Sequence, residues 1–347
     1  MGKTRVAIIC GGKSSEHEIS CISANGVLGA IDRNLFDVEL IGITKSGKWL
    51  YLPSDTSFIV QNGVLPTVPE SGVEITITKG GLVAGGKNLA IDVVFPTLHG
   101  PYGEDGSIQG LFEMIGLAYV GSGVLASAVC MDKSYAKPIF ASAGLKVAPG
   151  VVVTSTKFDL PAHISFPVFV KPARGGSSRG TTKVKSKSEL SAAIEHALSF
   201  DTKVIIEEAI IGKEIECAVL EIEGQIKLSP VGQVVIDNKF EFYDFQAKYL
   251  DNSMKIVIPA DIPSDVSNQV QAAALTAFKA AGCEGLARID FFYSNSGDVV
   301  INEINTMPGF TPTSVYPKLI AEIGIDYTRL ISSLIHTAKS GSANINR

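Results

Sequence analysis

Residues 6–30 read VAIICGGKSSEHEISCISANGVLGA, and the change of period inside this stretch sets the fold class. Val6–Cys10 is an unbroken apolar run of strand length that ends in Gly11-Gly12. Ser15 and Glu18 then have the spacing of a capping box, and Ile19, Ile22, Gly26, Val27 and Ala30 share one helical face. A buried strand that feeds a helix through a glycine turn is the repeating unit of a doubly wound sheet. Further along, Phe36–Ile43 reads as a second strand, followed by a turn at Ser46-Gly47, and residues 53–88 read as small hairpins with Gly-rich turns. Asp92–Leu98 is another buried strand and Ser107–Ile115 a capped helix, so the first third predicts a parallel, doubly wound α/β unit.

A second unit starts near Ser122. Strands are predicted over Phe166–Lys171, Thr182–Lys185 and Lys203–Glu208, around a helix capped by Ser188 with Leu190, Ala193, Ile194, Ala197 and Leu198 on one stripe. From about Lys213 the strands lengthen (Glu214–Glu221, Ile226–Ile236, Lys255–Pro259). A long helix, Ser267–Ala281, turns Val270, Ala273, Ala274, Ala277 and Ala281 inward, and this part reads as α+β with an antiparallel sheet. The expected boundaries are 1–122, 123–212 and 213–347.

Composition narrows the function classes. The 347 residues are 46% hydrophobic and 19% charged, which excludes disorder and coiled coil. Lys+Arg number 30 against Asp+Glu 35, so no basic surplus points to nucleic acid. No apolar run approaches the ~20 residues of a membrane span, and Val6–Cys10 is too short for a signal core. The five cysteines are scattered without a Cys-x-x-Cys pair and read as core residues of a reduced, cytoplasmic protein.

Arg288-Ile289-Asp290 and Asn302-Glu303-Ile304-Asn305 carry the clearest chemistry. Period-2 alternation puts Arg288 with Asp290, and Glu303 with Asn305, on one face of their strands. A two-residue turn at Ser296-Gly297 sets Asp290 opposite Glu303 and Arg288 opposite Asn305. Facing carboxylates repel, and a divalent cation reverses that sign; Asp, Glu and Asn oxygens without Cys or His suit Mg²⁺ or Mn²⁺. The same spacing also fits a hairpin whose acids face water.

Lys171-Pro172 runs into Gly175-Gly176-Ser177-Ser178-Arg179-Gly180, a loop whose N–H groups and hydroxyls suit phosphate, or an ordinary surface loop. Gly12-Lys13-Ser14 ends a relaxed P-loop pattern, but Ile8, Ile9 and Cys10 are strand residues and the predicted helix starts after Lys13. Glu16 and His99 each follow a predicted strand, at the crevice where open α/β sheets bind ligands; helix-dipole and structural roles also fit them. Glu207-Glu208-Ala209-Ile210 closes a strand; a solvated strand end is the default reading, and the segment can also offer backbone and carboxylate to an adenine edge.

These segments, with Gly103-Glu104-Asp105-Gly106, Gln109-Gly110, Met131-Asp132-Lys133, Lys248-Tyr249 and Pro308-Gly309-Phe310-Thr311, occur in one order along the chain. In that order the chain resembles the D-alanine–D-alanine ligases of the ATP-grasp superfamily, nearly end to end. The resemblance implies an N-terminal substrate-binding domain and two ATP-grasp subdomains with ATP between their sheets, usually in a homodimer. It implies phosphorylation of one D-alanine to an acyl phosphate and attack by the amine of a second, for peptidoglycan precursors. By motif position, Asp290, Glu303 and Asn305 would hold two Mg²⁺ (or Mn²⁺) ions, and Lys133, Lys171 and Lys248 would touch phosphates. Glu207, Glu208 and Ile210 would meet adenine and Glu214 the ribose. Arg288 and the Gly309 N–H would stabilise the oxyanion, and Glu16, with His99 nearby, would hold the first substrate. Ser177 and Tyr249 would link to Glu16, and Ser314 and Val315 would bind the second D-alanine.

Gln246 and Arg179 depart from the family pattern, and both fall in lid segments. Relatives that add D-serine or D-lactate define the alternative second substrates; Lys248-Tyr249 and Val315 favour D-alanine. A P-loop NTPase built on Gly12-Lys13-Ser14 is the alternative from another class.

Overall fold

The strand Thr4–Gly11 lies inside an eight-stranded sheet, parallel to Phe36–Ile43 on one side and to Val93–Pro96 on the other. The structure, a computed structural model, describes residues 2–236 and 254–341. Alternation along this strand explains the two-sided winding. Val6, Ile8 and Cys10 pack with Cys21, Ala24 and Val27 of helix His17–Ala30, while Ala7 and Ile9 face Ile108 and Phe112 of helix Ser107–Ile115. The doubly wound parallel core expected from the sequence is present. Ala118–Tyr119 extends it on one side, and four antiparallel strands (Trp49–Leu52, Val73–Thr78, Gly81–Ala84, Lys87–Asn88) extend it on the other. The predicted hairpins therefore continue the main sheet. Residues 53–72 cross its end and anchor through Phe58 and Val68.

Helix His17–Ala30 starts without the predicted capping box. Glu16 is its N-cap and makes no side-chain cap bond, and Glu18 pairs instead with Lys45. The Ser14 hydroxyl accepts from the Glu16 N–H at 3.0 Å and donates to the His99 carbonyl at 2.8 Å, so the turn is tied across the sheet end. Further on, the predicted Ser188 cap sits two residues too late. Helix Lys187–Leu198 has Ser186 as N-cap, and Glu189 reaches back to the Ser186 hydroxyl (2.7 Å) and the Lys185 N–H (3.1 Å).

Four antiparallel strands (Gly150–Val153, Val168–Pro172, Thr182–Val184, Val204–Glu208) form a second sheet, whose core is closed by Leu190, Ala193, Ile194 and Ala197 of that helix. The third sheet is built on Gly212–Ile222, Leu286–Ser294 and Val299–Asn305, with Gly232–Ile236 and Met254–Val257 at one side. The single run expected over Ile226–Ile236 is broken between Gln225–Leu228 and Gly232–Ile236, where Pro230 has no N–H to give a ladder. Helix Ser264–Ala280 covers one face through Val270, Ala274, Ala277 and Phe278. Helices Val124–Met131 and Lys133–Ser142 join the same core through Ala126, Cys130, Ala136 and Phe140.

The other face of the third sheet shares a core with the first. Ala218, Leu220 and Leu286 meet Tyr316 and Leu319 there, and helix Tyr327–Gly341 adds Leu330, Ile331, Leu334 and Ile335 against Val6, Ile8 and Phe36. Phe310 sits at the junction, 5.4 Å edge-on from Phe95 and 6.1 Å from Tyr316 between ring centroids. The five cysteines are buried and free, as expected for core residues. Among the described residues no helix is long and apolar enough to cross a membrane.

Candidate active site

The hairpin of Leu286–Ser294 and Val299–Asn305 puts Asp290 opposite Glu303 and Arg288 opposite Asn305, the register expected, but by another route. The loop holds three residues, since the Ser294 N–H donates to the Asp298 carbonyl at 2.9 Å, with Gly297 left-handed at φ +88°. Alone this would slip the acids out of register. An irregularity between Asp290 and Phe291 leaves Asn302 as an extra residue and restores the pairing. Ile289, Phe291, Ile301 and Ile304 face the core, so the charged row lies on the opposite face, and Glu216 extends it by pairing with Asp290 from the neighbouring strand.

A cavity of about 500 Å³ opens between the second and third sheets. Phe169, Ala148 and Ile301 give it apolar walls, and Glu207, Glu208, Ile210 and Glu214 line one end. Lys171, on the strand Val168–Pro172, reaches Glu207 Oε2 at 2.7 Å and approaches Asn302 Oδ1 at 3.5 Å. Lys137 takes the other oxygen of Glu207 at 2.7 Å. Burial alone would raise the Glu207 carboxyl; the ammonium groups of Lys137 and Lys171 overcome it and bring it down to about 2. Lys133, one helical turn before Lys137, meets Glu303 Oε2 at 2.9 Å and the Gly175 carbonyl at 2.9 Å. Glu208 accepts from the Ser165 N–H at 2.6 Å.

A second cavity of about 430 Å³ lies toward the first sheet. Glu16, 7% exposed, points into it and accepts a bond from the Ser177 hydroxyl. Two glycines press on this carboxylate: a Cβ added at Gly176 would stand 2.8 Å from Glu16 Oε2, and one at Gly100 would stand 2.7 Å away. Both nitrogens of His99 are engaged, Nε2 with the Ser23 hydroxyl (3.0 Å) and Nδ1 with the Met307 carbonyl (3.2 Å). His99 thus lines the cavity as a fixed wall. Gly309, Ser314 and Val315 line the far side; the Ser314 hydroxyl accepts from the Thr311 N–H at 3.0 Å, and Val315 is mostly core. The half-buried carboxyl of Glu104 accepts from the N–H groups of Gly100 (2.7 Å) and Met307 (3.3 Å); desolvation, with Glu16 nearby, pushes it up to about 8.

Six residues line both cavities: Lys133, Gly175, Ser177, Glu216, Arg288 and Glu303. Arg288 binds Asp290 through two nitrogens (2.8 and 2.7 Å) and Glu216 at 3.1 Å, and Asn305 Nδ2 donates to Asp290 at 3.0 Å. Among the described residues no three His, Cys, Asp or Glu side chains group as a metal site. The set at and beside the common wall is the facing carboxylates of Asp290 and Glu303, the Glu216 carboxylate and the Asn305 amide. Its all-oxygen chemistry fits Mg²⁺, which takes one or two carboxylates and leaves positions to phosphates. Lys133 and Arg288 now balance those carboxylates.

Lys248, Tyr249 and Gln246 lie outside the described residues. Lys13 is exposed and lines neither cavity, and the strand runs to Gly11, so the P-loop alternative gains no geometry. Sequence reading missed Lys137, Glu216 and, as a side chain with partners, Glu104. Lys137 stands four residues after Lys133 on one helix face, and Glu216 two after Glu214 on one strand face, so period alone could have found both. Nothing local marks the Glu104 bond to Met307, 203 residues away.

The family model for the D-ala D-ala ligase N-terminus matches residues 5–122, and that for its C-terminus matches residues 139–336. The D-alanine–D-alanine ligase of Paenarthrobacter aurescens is 48% identical over 97% of this chain and 95% of its own length. That of Mycobacterium leprae is 45% identical over 97% of this chain and 94% of its own. Among solved structures, the VanG D-Ala:D-Ser ligase of Enterococcus faecalis superposes with a TM-score of 0.84 at 37% identity, covering 97% of this chain and 100% of that one. The D-alanine–D-alanine ligase of Coxiella burnetii gives 0.82 at 32% identity, covering 99% and 97%. With both halves matched and full-length relatives near half identity, the chain belongs to the D-alanine–D-alanine ligase family.

Proposed function

We propose that this chain uses ATP to join two D-alanines into D-alanyl-D-alanine through an acyl phosphate, releasing ADP and phosphate. The observation that carries this reading is the common wall: a nucleotide-sized cavity and an amino-acid cavity meet at Lys133, Arg288 and Glu303. A carboxylate is a poor electrophile, and its phosphorylation needs the γ-phosphate and the amino acid at one place.

In this reading Glu16 holds the ammonium of the first D-alanine, with Ser177 and the fixed His99 beside it. The carboxylate oxygen of that D-alanine attacks the γ-phosphorus at the common wall and ADP leaves as its bond to the γ-phosphorus breaks, while Lys133 and Lys171 hold phosphate oxygens. Asp290, Glu303 and Asn305 would hold two Mg²⁺ (or Mn²⁺) ions, which neutralise charge on the transferring phosphoryl group. The second D-alanine sits against Ser314 and Val315, and its amine attacks the acyl carbon. Arg288 and the Gly309 N–H stabilise the oxyanion, an effect of a few kcal/mol in comparable sites; collapse then expels phosphate. Glu207, Glu208 and Ile210 meet adenine and Glu214 the ribose. The division 1–122, 123–212 and 213–347, a homodimer and a cytoplasmic location complete the reading.

Incubation with ATP, Mg²⁺ and an equimolar mixture of D-alanine, D-serine and D-lactate, followed by product mass, tests it. The D-alanine dipeptide is expected as the main product, with ADP release dependent on D-alanine. ADP release without any D-amino acid refutes the reading.

A further inference from the structure

We propose that Lys137 is a positioning residue for nucleobase selection: together with Lys171 it fixes the Glu207 carboxylate so that it meets the base only as a hydrogen-bond acceptor, favouring a 6-amino purine over a 6-oxo purine. This rests on the reading that Glu207 faces the base. Lys137 is 8% exposed and Glu207 5%, and their contact is 2.7 Å. Lys137 and Lys171 take opposite oxygens of one carboxylate, at 2.7 Å each. The Lys137 contact is an ion pair without hydrogen-bond geometry, so the carboxylate, with about four lone-pair sites, keeps lone pairs for a ligand donor.

The cost of burying the Lys137 ammonium shows that the arrangement is specific. Burial pushes this group down and Lys171 and Lys133 add to that, while Glu207 acts the other way. A lysine enclosed beside two other lysines persists through its carboxylate partner. A Glu207 held by one lysine is free to rotate its second oxygen or to take a proton. A protonated carboxyl can donate to the O6 of guanine; one kept ionised by an ammonium at each oxygen cannot. Rejection by an unpaired buried acceptor is the strong form of specificity.

The test is a double-mutant cycle of Lys137→Met and Glu207→Gln, read as KM and kcat for ATP and for GTP, with D-alanine saturating and thermal melts alongside. Lys137→Met is expected to raise the KM for ATP about tenfold with kcat within about threefold, and to cut the ATP-over-GTP preference about tenfold. Glu207→Gln, whose amide both donates and accepts, cuts the preference by a similar factor. The double variant then matches Glu207→Gln alone, because Lys137 acts through Glu207. An unchanged preference in Lys137→Met with a lowered one in Glu207→Gln overturns the proposal and leaves the base contact standing, as do additive losses in the double variant. An unchanged preference in Glu207→Gln overturns the base contact and the proposal together, whether or not Lys137→Met folds.

Discussion

Gly176→Ala separates the function of Glu16 from the stability of the fold. The φ of Gly176 is not in the left-handed region, so alanine meets no backbone penalty there. Its Cβ would stand 2.8 Å from Glu16 Oε2, against an ordinary contact of about 3.4 Å or more, so the oxygen must retreat by roughly 0.6 Å. Gly100 closes the other side, where an added Cβ would stand 2.7 Å from the same oxygen, so the carboxylate swings away from its place beside the Ser177 hydroxyl. A hydrogen bond to a charged group contributes about 1.5–3 kcal/mol, so its loss predicts a 10- to 100-fold rise in the KM for D-alanine. The part that moves is the end of a flexible side chain, so the melting temperature should stay within about 2 °C of wild type. Titrating D-alanine in a coupled ADP-release assay, with ATP saturating and a melt in parallel, measures both. An unchanged D-alanine KM refutes the reasoning, and so does an equal loss for ATP with a lowered melting temperature. Gly100→Ala is the contrast: at φ +74°, with Ser14 Oγ also only 2.9 Å away, it should destabilise the fold by at least about 1 kcal/mol.

Three further expectations follow from the same geometry. Glu303→Gln should lower kcat by about 10²- to 10³-fold while Lys133 keeps an oxygen partner, and near-wild-type turnover with Mg²⁺ would refute a metal role for Glu303. Lys171→Ala should weaken ATP binding by at least about tenfold and Lys13→Ala by less than twofold, measured by calorimetry; the reverse order would revive the P-loop alternative. The Glu104 carboxyl, raised to about 8, is protonated when folded and ionised when unfolded between about pH 4.5 and 8. Its contribution to stability is therefore full below about pH 4.5 and is lost as pH rises through about 8, a change on the order of 5 kcal/mol. Urea unfolding of wild type and Glu104→Gln across that window reads the difference, and a constant difference refutes the assignment.

The strands of the parallel core were legible because their apolar runs have no competing period; Phe36–Ile43 matches residue for residue. Helix Ser107–Ile115 also matches at both ends, but the caps expected at Ser15 and Ser188 fail, since serines in tandem offer several caps and tertiary contacts select one. Ser14 is used to tie the sheet end, so the Ser15 expectation fails, and Ser186 rather than Ser188 opens its helix. The Asp290–Glu303 opposition was right although the turn was wrong, because loop length and bulge offset each other. That Lys137 and Glu207 share a buried contact depends on how a helix packed on the third sheet meets a strand of the second, which no local period encodes.

Helix Tyr327–Gly341 also bears on how the chain is made. The apolar layer behind Val6, Ile8 and Phe36 includes Leu330, Ile331, Leu334 and Ile335, and Lys339 reaches the Thr4 hydroxyl at 3.0 Å. During synthesis the first strand leaves the ribosome more than three hundred residues before its final covering does, so this sheet waits half-clothed through most of translation. Nascent chains stalled short of Tyr327 are therefore natural clients for chaperones, and protease resistance near the amino terminus should arrive late and abruptly, when the last helix docks.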